Sequence, residues 1–578
     1  MSNSPRARAR TNRALPARTS PRAVSGLQLI LGAVAGLTVL MVSYPVVSVV
    51  WRSFSKDDIG SEFTLQWIAA LFGSPRSQDA ILNTIVYSAG SSALAMAIGV
   101  SLAFVSIRTD MPGGRWIGFL SLLPMLVPPF ILVIGWVAIA DPNAGVINIL
   151  ASLLARSKVT LVDVNGMPGI IWITGLFLAP YVYLLVAAGL GNSDTAMEEA
   201  ARLSGAGRLR LLFTIILPLQ RPALLAAGLL VVIMSAGDFI IPATLGLKSR
   251  IYLLPSLIWQ NSNSFPPRPG LAAAQSLLLL IVGLVCIFFQ RRALSRGGRF
   301  TLLGGKGASP VPFRLGRLRY PVAILAMTFA LGSSLIPVVA VSAMAFMKYW
   351  APNAFTWKNV TLDNVNYILF AYPQVWPSAR HSLFLAVLGA TISVLLAIAL
   401  AWYGLRLGGR LAALVDYALV LPLGIPAIAL SIGILSTWIL VPGGIYGTLW
   451  ILLLAYVTAH IPIAMQFVAS AFHRINTELE DASRVAGHSW LGTLRRIDVP
   501  LMGPVLVGSW LLIYVVILRE IALVILLYNP STIVLSVGLM DVWANGFYPE
   551  LAVYSLLLLV LGVLPVAALW KYARFGVS

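Results

Sequence analysis

From residue 27 onward the chain alternates long apolar runs with short polar connections. The runs lie near 27–50, 81–107, 116–140, 168–190, 221–245, 271–290, 321–347, 382–405, 412–440, 447–471, 503–527 and 551–570. Each is close to the roughly 20 apolar residues that an α-helix needs to cross a bilayer. The pattern predicts an all-α membrane protein with about twelve transmembrane helices. A cleaved signal peptide is a poor reading of the first run, which is longer than the usual apolar region of about 7–15 residues.

Composition sharpens this picture. The chain has 578 residues, of which 59% are hydrophobic and 10% charged, far below the roughly 25% charged residues of soluble domains. A soluble enzyme is excluded. The net charge of +20, from 40 Lys and Arg against 20 Asp and Glu, reports topology here and not a nucleic-acid partner. With the N terminus placed in the cytoplasm, 28 of the 40 basic residues fall on the tail and even-numbered loops, so the positive-inside rule places both termini in the cytoplasm. Cys286 is the single cysteine, which leaves no internal disulfide and no cysteine-based metal site.

The expected organisation is a disordered basic tail (1–26), a first six-span repeat (27–292), a basic linker (293–320) and a second repeat (321–578). The linker, with Arg291, Arg292, Arg296, Arg299, Lys306, Arg314, Arg317 and Arg319 in or beside it, reads as a solvated connector.

The halves are related in sequence. At an offset of 298, Arg108 falls on Arg406, Pro124 on Pro422, Pro128 on Pro426 and Gly135 on Gly433. At an offset of 282, Pro180 falls on Pro462, Glu199 on Asp481, Ala200 on Ala482, Gly205 on Gly487, Pro218 on Pro500 and Asp238 on Glu520. An even number of spans per repeat gives the halves the same topology, related by an axis along the membrane normal.

Between spans four and five the first half reads Met197-Glu198-Glu199-Ala200-Ala201-Arg202-Leu203-Ser204-Gly205, and later Leu217-Pro218-Leu219. The second repeats it as Leu479-Glu480-Asp481-Ala482-Ser483-Arg484-Val485-Ala486-Gly487, then Val499-Pro500-Leu501. Carboxylates beside small residues, with glycine six positions on, describe a short surface helix ended by a turn that glycine permits. An ordinary connector has no reason to keep these residues in register twice, so the pattern points to a docking surface for a partner protein.

Both loops resemble the EAA loop of ABC importer permeases, with Asp481, Ser483 and Val499 as conservative departures. The resemblance implies a type I ABC importer permease fold of two parallel six-helix repeats in a bacterial inner membrane. It further implies two ATP-binding cassette ATPase subunits seated on the loops, a periplasmic or surface solute-binding protein, and alternating access. The chain contains no G-x-x-x-x-G-K-[ST] phosphate loop. ATP and magnesium are therefore expected on the partner ATPase, with no cofactor and no catalytic residue in this chain. A lipid surround and no nucleic acid complete the expected partners.

The run Arg519-Glu520 through Leu526-Leu527-Tyr528-Asn529-Pro530, then Leu535-Ser536-Val537, is similar to ferric-iron permeases. That likeness implies ferric iron as substrate, with thiamine, polyamine and phosphonate as the alternatives. Asp238 and Glu520 lie 20 residues after Pro218 and Pro500, about 30 Å of helix, so both are expected near the external ends of their spans. Carboxylates there, with Arg519, suggest an external gate or a transient cation site. The bland alternative is that they cap helix ends. His381 and His460 lack ligand-spaced partners and read as interfacial residues, not a metal site. An ion-coupled secondary transporter of six plus six helices is the rival architecture, and the duplicated loops speak against it.

Overall fold

Continuous apolar sequence, interrupted by proline and glycine, becomes a bundle of helices whose breaks are as informative as their lengths. The computed structural model describes residues 26–56, 62–191, 195–297, 312–351, 356–406, 410–419, 421–439, 444–569 and 572. The basic tail and linker residues 298–311 lie outside the described residues. Among those described there are helices, turns and isolated bridges but no strand.

The first half runs α1 (Gly26–Ser53), α2 (Pro75–Arg108), α3 (Gly114–Leu122), α4 (Pro129–Ala140), α5 (Met167–Gly191), α6 (Thr195–Leu203), α7 (Arg221–Ala236) and α8 (Pro269–Gly297). The second runs α9 (Arg319–Gly332), α10 (Leu335–Ala345), α11 (Val375–Arg406), α12 (Arg410–Ala418), α13 (Ala427–Trp438), α14 (Leu449–Phe472), α15 (Thr477–Val485), α16 (Val499–Arg519) and α17 (Tyr548–Leu569). Eight helices are long and apolar enough to cross a bilayer, and eleven segments are if each sharply bent pair is one span.

The runs expected as about twelve spans are interrupted or shortened at four places. The 116–140 run is broken between α3 and α4, which meet at 105°, because Pro124, Pro128 and Pro129 withdraw backbone donors and restrict the residues before them. The matched 412–440 run divides into α12 and α13 around Pro422 and Pro426. The 221–245 run stops at Ala236, and the 503–527 run stops at Arg519. At both stops a carboxylate turns back to accept a backbone N–H, Ile240 to Asp238 at 3.1 Å and Leu523 to Glu520 at 3.3 Å.

Each half's first span packs against the other half, α1 on α13 and α10 on α4. Matched glycines permit this exchange. A Cβ on Gly135 would overlap the carbonyl oxygen of Pro337, and one on Gly433 would overlap that of Pro45. The register of the repeat extends to single hydrogen bonds. Leu254 N–H donates to Thr84 Oγ1 at 2.9 Å and Leu535 N–H to Ser382 Oγ at 2.8 Å. One residue earlier, Asn83 donates to the Tyr252 carbonyl at 3.2 Å and His381 Nδ1 meets the Ile533 carbonyl at 2.9 Å.

The linker's described end is not a free connector. Phe313 N–H donates to the Arg108 carbonyl at 2.7 Å, Asp110 N–H to the Phe313 carbonyl at 3.1 Å, and Leu315 N–H to the Asp110 carboxylate at 2.7 Å. The Phe313 ring lies 5.6 Å from that of Phe104, so the chain is stitched to the end of α2 before it enters α9.

Candidate functional site

Two regions emerge, one at each end of the bundle. At the first, α6 and α15 are matched helices of equal length, and each is followed by glycine in the left-handed region, Gly205 at φ +79° and Gly487 at φ +84°. A side chain at that φ is strained, which explains why glycine closes both helices. Pro218 and Pro500 follow as the second residues of the α-helical segments Leu217–Leu219 and Val499–Arg519.

Each helix carries the same two faces. Glu198 and Glu480 are buried beneath it, whereas Met197, Ala200 and Leu203 on one, and Leu479, Ala482 and Val485 on the other, are exposed. Three exposed apolar or small residues at spacings of three form a ridge along one side of a helix. Leu203 and Val485 are 90% and 89% exposed, unusual for aliphatic residues on a polar loop and suited to a surface that another protein covers.

The loops differ beneath the ridge. Glu198 forms an ion pair with Arg108 at the end of α2, and Arg108 is wholly buried. Glu480 lies 3.8 Å from Arg484, which also lies 3.6 Å from exposed Asp481. Ser483 shares a hydrogen bond with Thr493 at 2.9 Å, where the first half has half-buried Ala201 and buried Leu211. The side chains of Glu199 and Arg406 lie outside the described residues.

The second region gathers Asp238, Arg519 and Glu520. Asp238 follows the end of α7 and accepts a hydrogen bond from Tyr87 of α2 at 2.6 Å, while the same hydroxyl meets Thr174 of α5 at 2.7 Å. Arg519, the last residue of α16, reaches into the first half, donating to the Met125 carbonyl at 2.6 Å and the Tyr181 hydroxyl at 3.2 Å. Its guanidinium stands 5.8 Å from the Phe177 ring. The matched position in the first half is Gly237, where a Cβ would come within 2.7 Å of the Pro426 side chain. Each half therefore touches the proline break of the other beside its own carboxylate. Helix-end capping, the bland alternative offered by the sequence, occurs here beside a meeting of the two halves.

Glu520 is held differently from Asp238. Its backbone carbonyl accepts from Ser536 at 2.8 Å and from Tyr456 at 3.4 Å, while its side chain turns to the Leu523 N–H. His460 is buried in the middle of α14, its Nδ1 2.7 Å from the Tyr456 carbonyl, so the expected interfacial position is corrected. Sequence reasoning passed over Tyr87, Tyr181 and the role of Arg108. For Arg108 there was a signal, since it repeats as Arg406. For Tyr87 there was none, because its partner is 151 residues away.

Comparison with known proteins agrees with this architecture. Residues 80–298 match the family described as "Binding-protein-dependent transport system inner membrane component". A probable ABC transporter permease protein of Sinorhizobium fredii is 25% identical, covering 93% of both chains. A ferric transport system permease protein of Actinobacillus pleuropneumoniae is 22% identical over 93% of this chain and 77% of its own length. An Fe(3+)-transport system permease protein of Haemophilus influenzae is 21% identical over 86% of this chain and 91% of its own. A solved bacterial ABC transporter involved in import of the acidic polysaccharide alginate matches 48% of this chain and 96% of its own, with TM-score 0.37 and 18% identity, a likeness too slight to bear on function. The helical bundle is that of a multi-pass membrane protein, and over nearly its whole length the chain is similar to ABC transporter permeases, ferric transport permeases among them.

Proposed function

We propose that this chain is the permease subunit of an ATP-driven importer for ferric iron, handed over by an external solute-binding protein. Two ABC ATPase subunits dock on the ridges of α6 and α15 and carry the ATP and magnesium; the permease has no hydrolytic role. Both termini and both docking helices are cytoplasmic, in keeping with the distribution of basic residues. Asp238, Arg519 and Glu520 then lie at the external gate of the pathway between the halves.

The observation that carries this reading is the pair of matched helices, each with a buried carboxylate, an exposed apolar ridge and a left-handed glycine. One ridge could serve any function, but two in the same register fit two copies of one partner. The choice of iron rests on the two ferric relatives, which match over most of the chain. Carboxylate oxygens at the gate suit a hard cation, which adds modest support.

Phosphonate is the second reading, because putative 2-aminoethylphosphonate permeases of Salmonella are 26% identical over 41% of this chain. Uptake into proteoliposomes containing the permease, its ATPase and its binding protein separates the two. Accumulation of labelled ferric iron that requires ATP, unaffected by excess 2-aminoethylphosphonate or thiamine, is the expected result. ATP-dependent phosphonate uptake without iron uptake would replace the substrate, and uptake driven by a proton or sodium gradient without ATP would replace the mechanism.

A further inference from the structure

Helix α2 touches both regions. At one end Arg108 is paired with Glu198 of the docking helix; 21 residues earlier, Tyr87 donates its hydroxyl to Asp238 at the opposite region. That separation is about 31 Å of continuous helix. Thr84 and Ser382 make the same hydrogen bond, which fixes the register between the halves, and three residues on the counterpart of Tyr87 is Leu385. The tyrosine stands instead at Tyr456, the counterpart of Thr174, and reaches the backbone of Glu520.

We propose, resting on the permease reading above, that α2 is the rod that transmits movement of the first docking helix to the gate, with Glu198, Arg108 and Tyr87 as its positioning residues. The rod is rigidly engaged at its lower end. Arg108 is fully buried, and its Nε and Nη1 have no hydrogen-bond partner, so Glu198 is the counter-charge that holds it. Separating two buried charges from one another is strongly unfavourable, and α6 therefore cannot shift without carrying α2. The linker adds a second fastening, since Phe313 bonds to the Arg108 backbone and its ring packs on Phe104. At the upper end the hydroxyl of buried Tyr87 passes the movement to Asp238 and to Thr174 of α5. The first half thus drives its gate carboxylate through a tyrosine hydroxyl, where Tyr456 of the second half reaches the Glu520 backbone.

The test uses the full chain reconstituted with its ATPase and binding protein, with Cys286→Ser and one reporter cysteine, Ile240→Cys, beside Asp238. In the parent chain, labelling of residue 240 is expected to change when ATP binds. Tyr87→Phe is expected to keep the ATPase bound and hydrolysing, and in it and in Glu198→Gln substrate moved per ATP is expected to fall about tenfold, as one link is removed from a two-state balance. In both variants the ATP response at residue 240 should vanish, and Glu198→Asp should restore part of it. A structural role alone would lower yield or assembly without changing substrate moved per ATP.

Unchanged coupling and an unchanged response at 240 in Glu198→Gln would overturn the proposal. Should that variant fail to assemble, Tyr87→Phe decides, since it removes one hydroxyl far from the docking surface; wild-type coupling there would overturn the proposal equally. A parent chain that binds no ATPase would instead sink the permease reading, and the rod with it.

Discussion

Thr84 and Ser382 do the same thing in the two halves, whereas Tyr87 and Leu385, three residues further along the same helices, do not. The same split recurs at Gly237 and Arg519, one bringing bare backbone against Pro426 and the other sending a guanidinium to the Met125 carbonyl. Beneath α6 and α15, Ala201 faces an apolar setting where Ser483 bonds Thr493. Duplicated architecture is retained where backbone must pair or helices must cross closely. It diverges in side-chain contacts, within a half at Tyr87 and Ser483 and across the halves at Arg519. A fused chain permits this, because each site is encoded separately and the halves need not remain interchangeable.

Removing Arg519 should show the largest effect. Arg519→Ala deletes two charge-assisted hydrogen bonds across the halves, and a loss of about 3 kcal/mol is expected, read as lowered thermal unfolding in detergent together with loss of uptake. The matched change, Gly237→Arg, makes the halves alike in sequence and should still be damaging, because the Pro426 ring occupies the space. Tolerance of Gly237→Arg would mean that the contact is not specific.

The crossings should respond symmetrically. Gly135→Ala and Gly433→Ala each push a methyl into a proline carbonyl of the opposite half, and each is expected to cost about 2 kcal/mol by overpacking. A large effect at one and none at the other would show that the exchanged first spans are not equivalent. The smallest effect belongs to the loops. Ser483→Ala should lose about 1 kcal/mol with its single hydrogen bond to Thr493, whereas Ala201→Ser gains no partner at Leu211 and should not stabilise.

Much of this was legible in the sequence because apolar runs, prolines and glycines mark themselves locally. The matched loops, Gly205 and Gly487 needed only their own spacing to be recognised. The proline breaks were visible as Pro124, Pro128, Pro422 and Pro426 but were absorbed into runs that stay apolar through the bend. Hydropathy carries no information about direction, so α3 and α4 looked like one helix. The ends at Ala236 and Arg519 were hidden for the same reason, since the residues beyond them remain apolar while the backbone turns. Contacts such as Tyr87 with Asp238, or Arg519 with Met125, join distant parts of the chain and leave no local trace. Only the repetition of Arg108 as Arg406 hinted that a charge at a helix end had a purpose.

The most direct measurement is the number of ATPase subunits bound per permease, counted by native mass spectrometry of the detergent-purified complex. Gly205→Val and Gly487→Val each force a β-branched residue into a left-handed backbone conformation, a strain of about 1–3 kcal/mol, and so distort one docking helix at a time. Two subunits on the parent chain, one on each single variant and none on the double variant are expected. Two subunits retained on a correctly folded double variant, or none on the parent chain, would contradict the assignment of α6 and α15 as the docking helices.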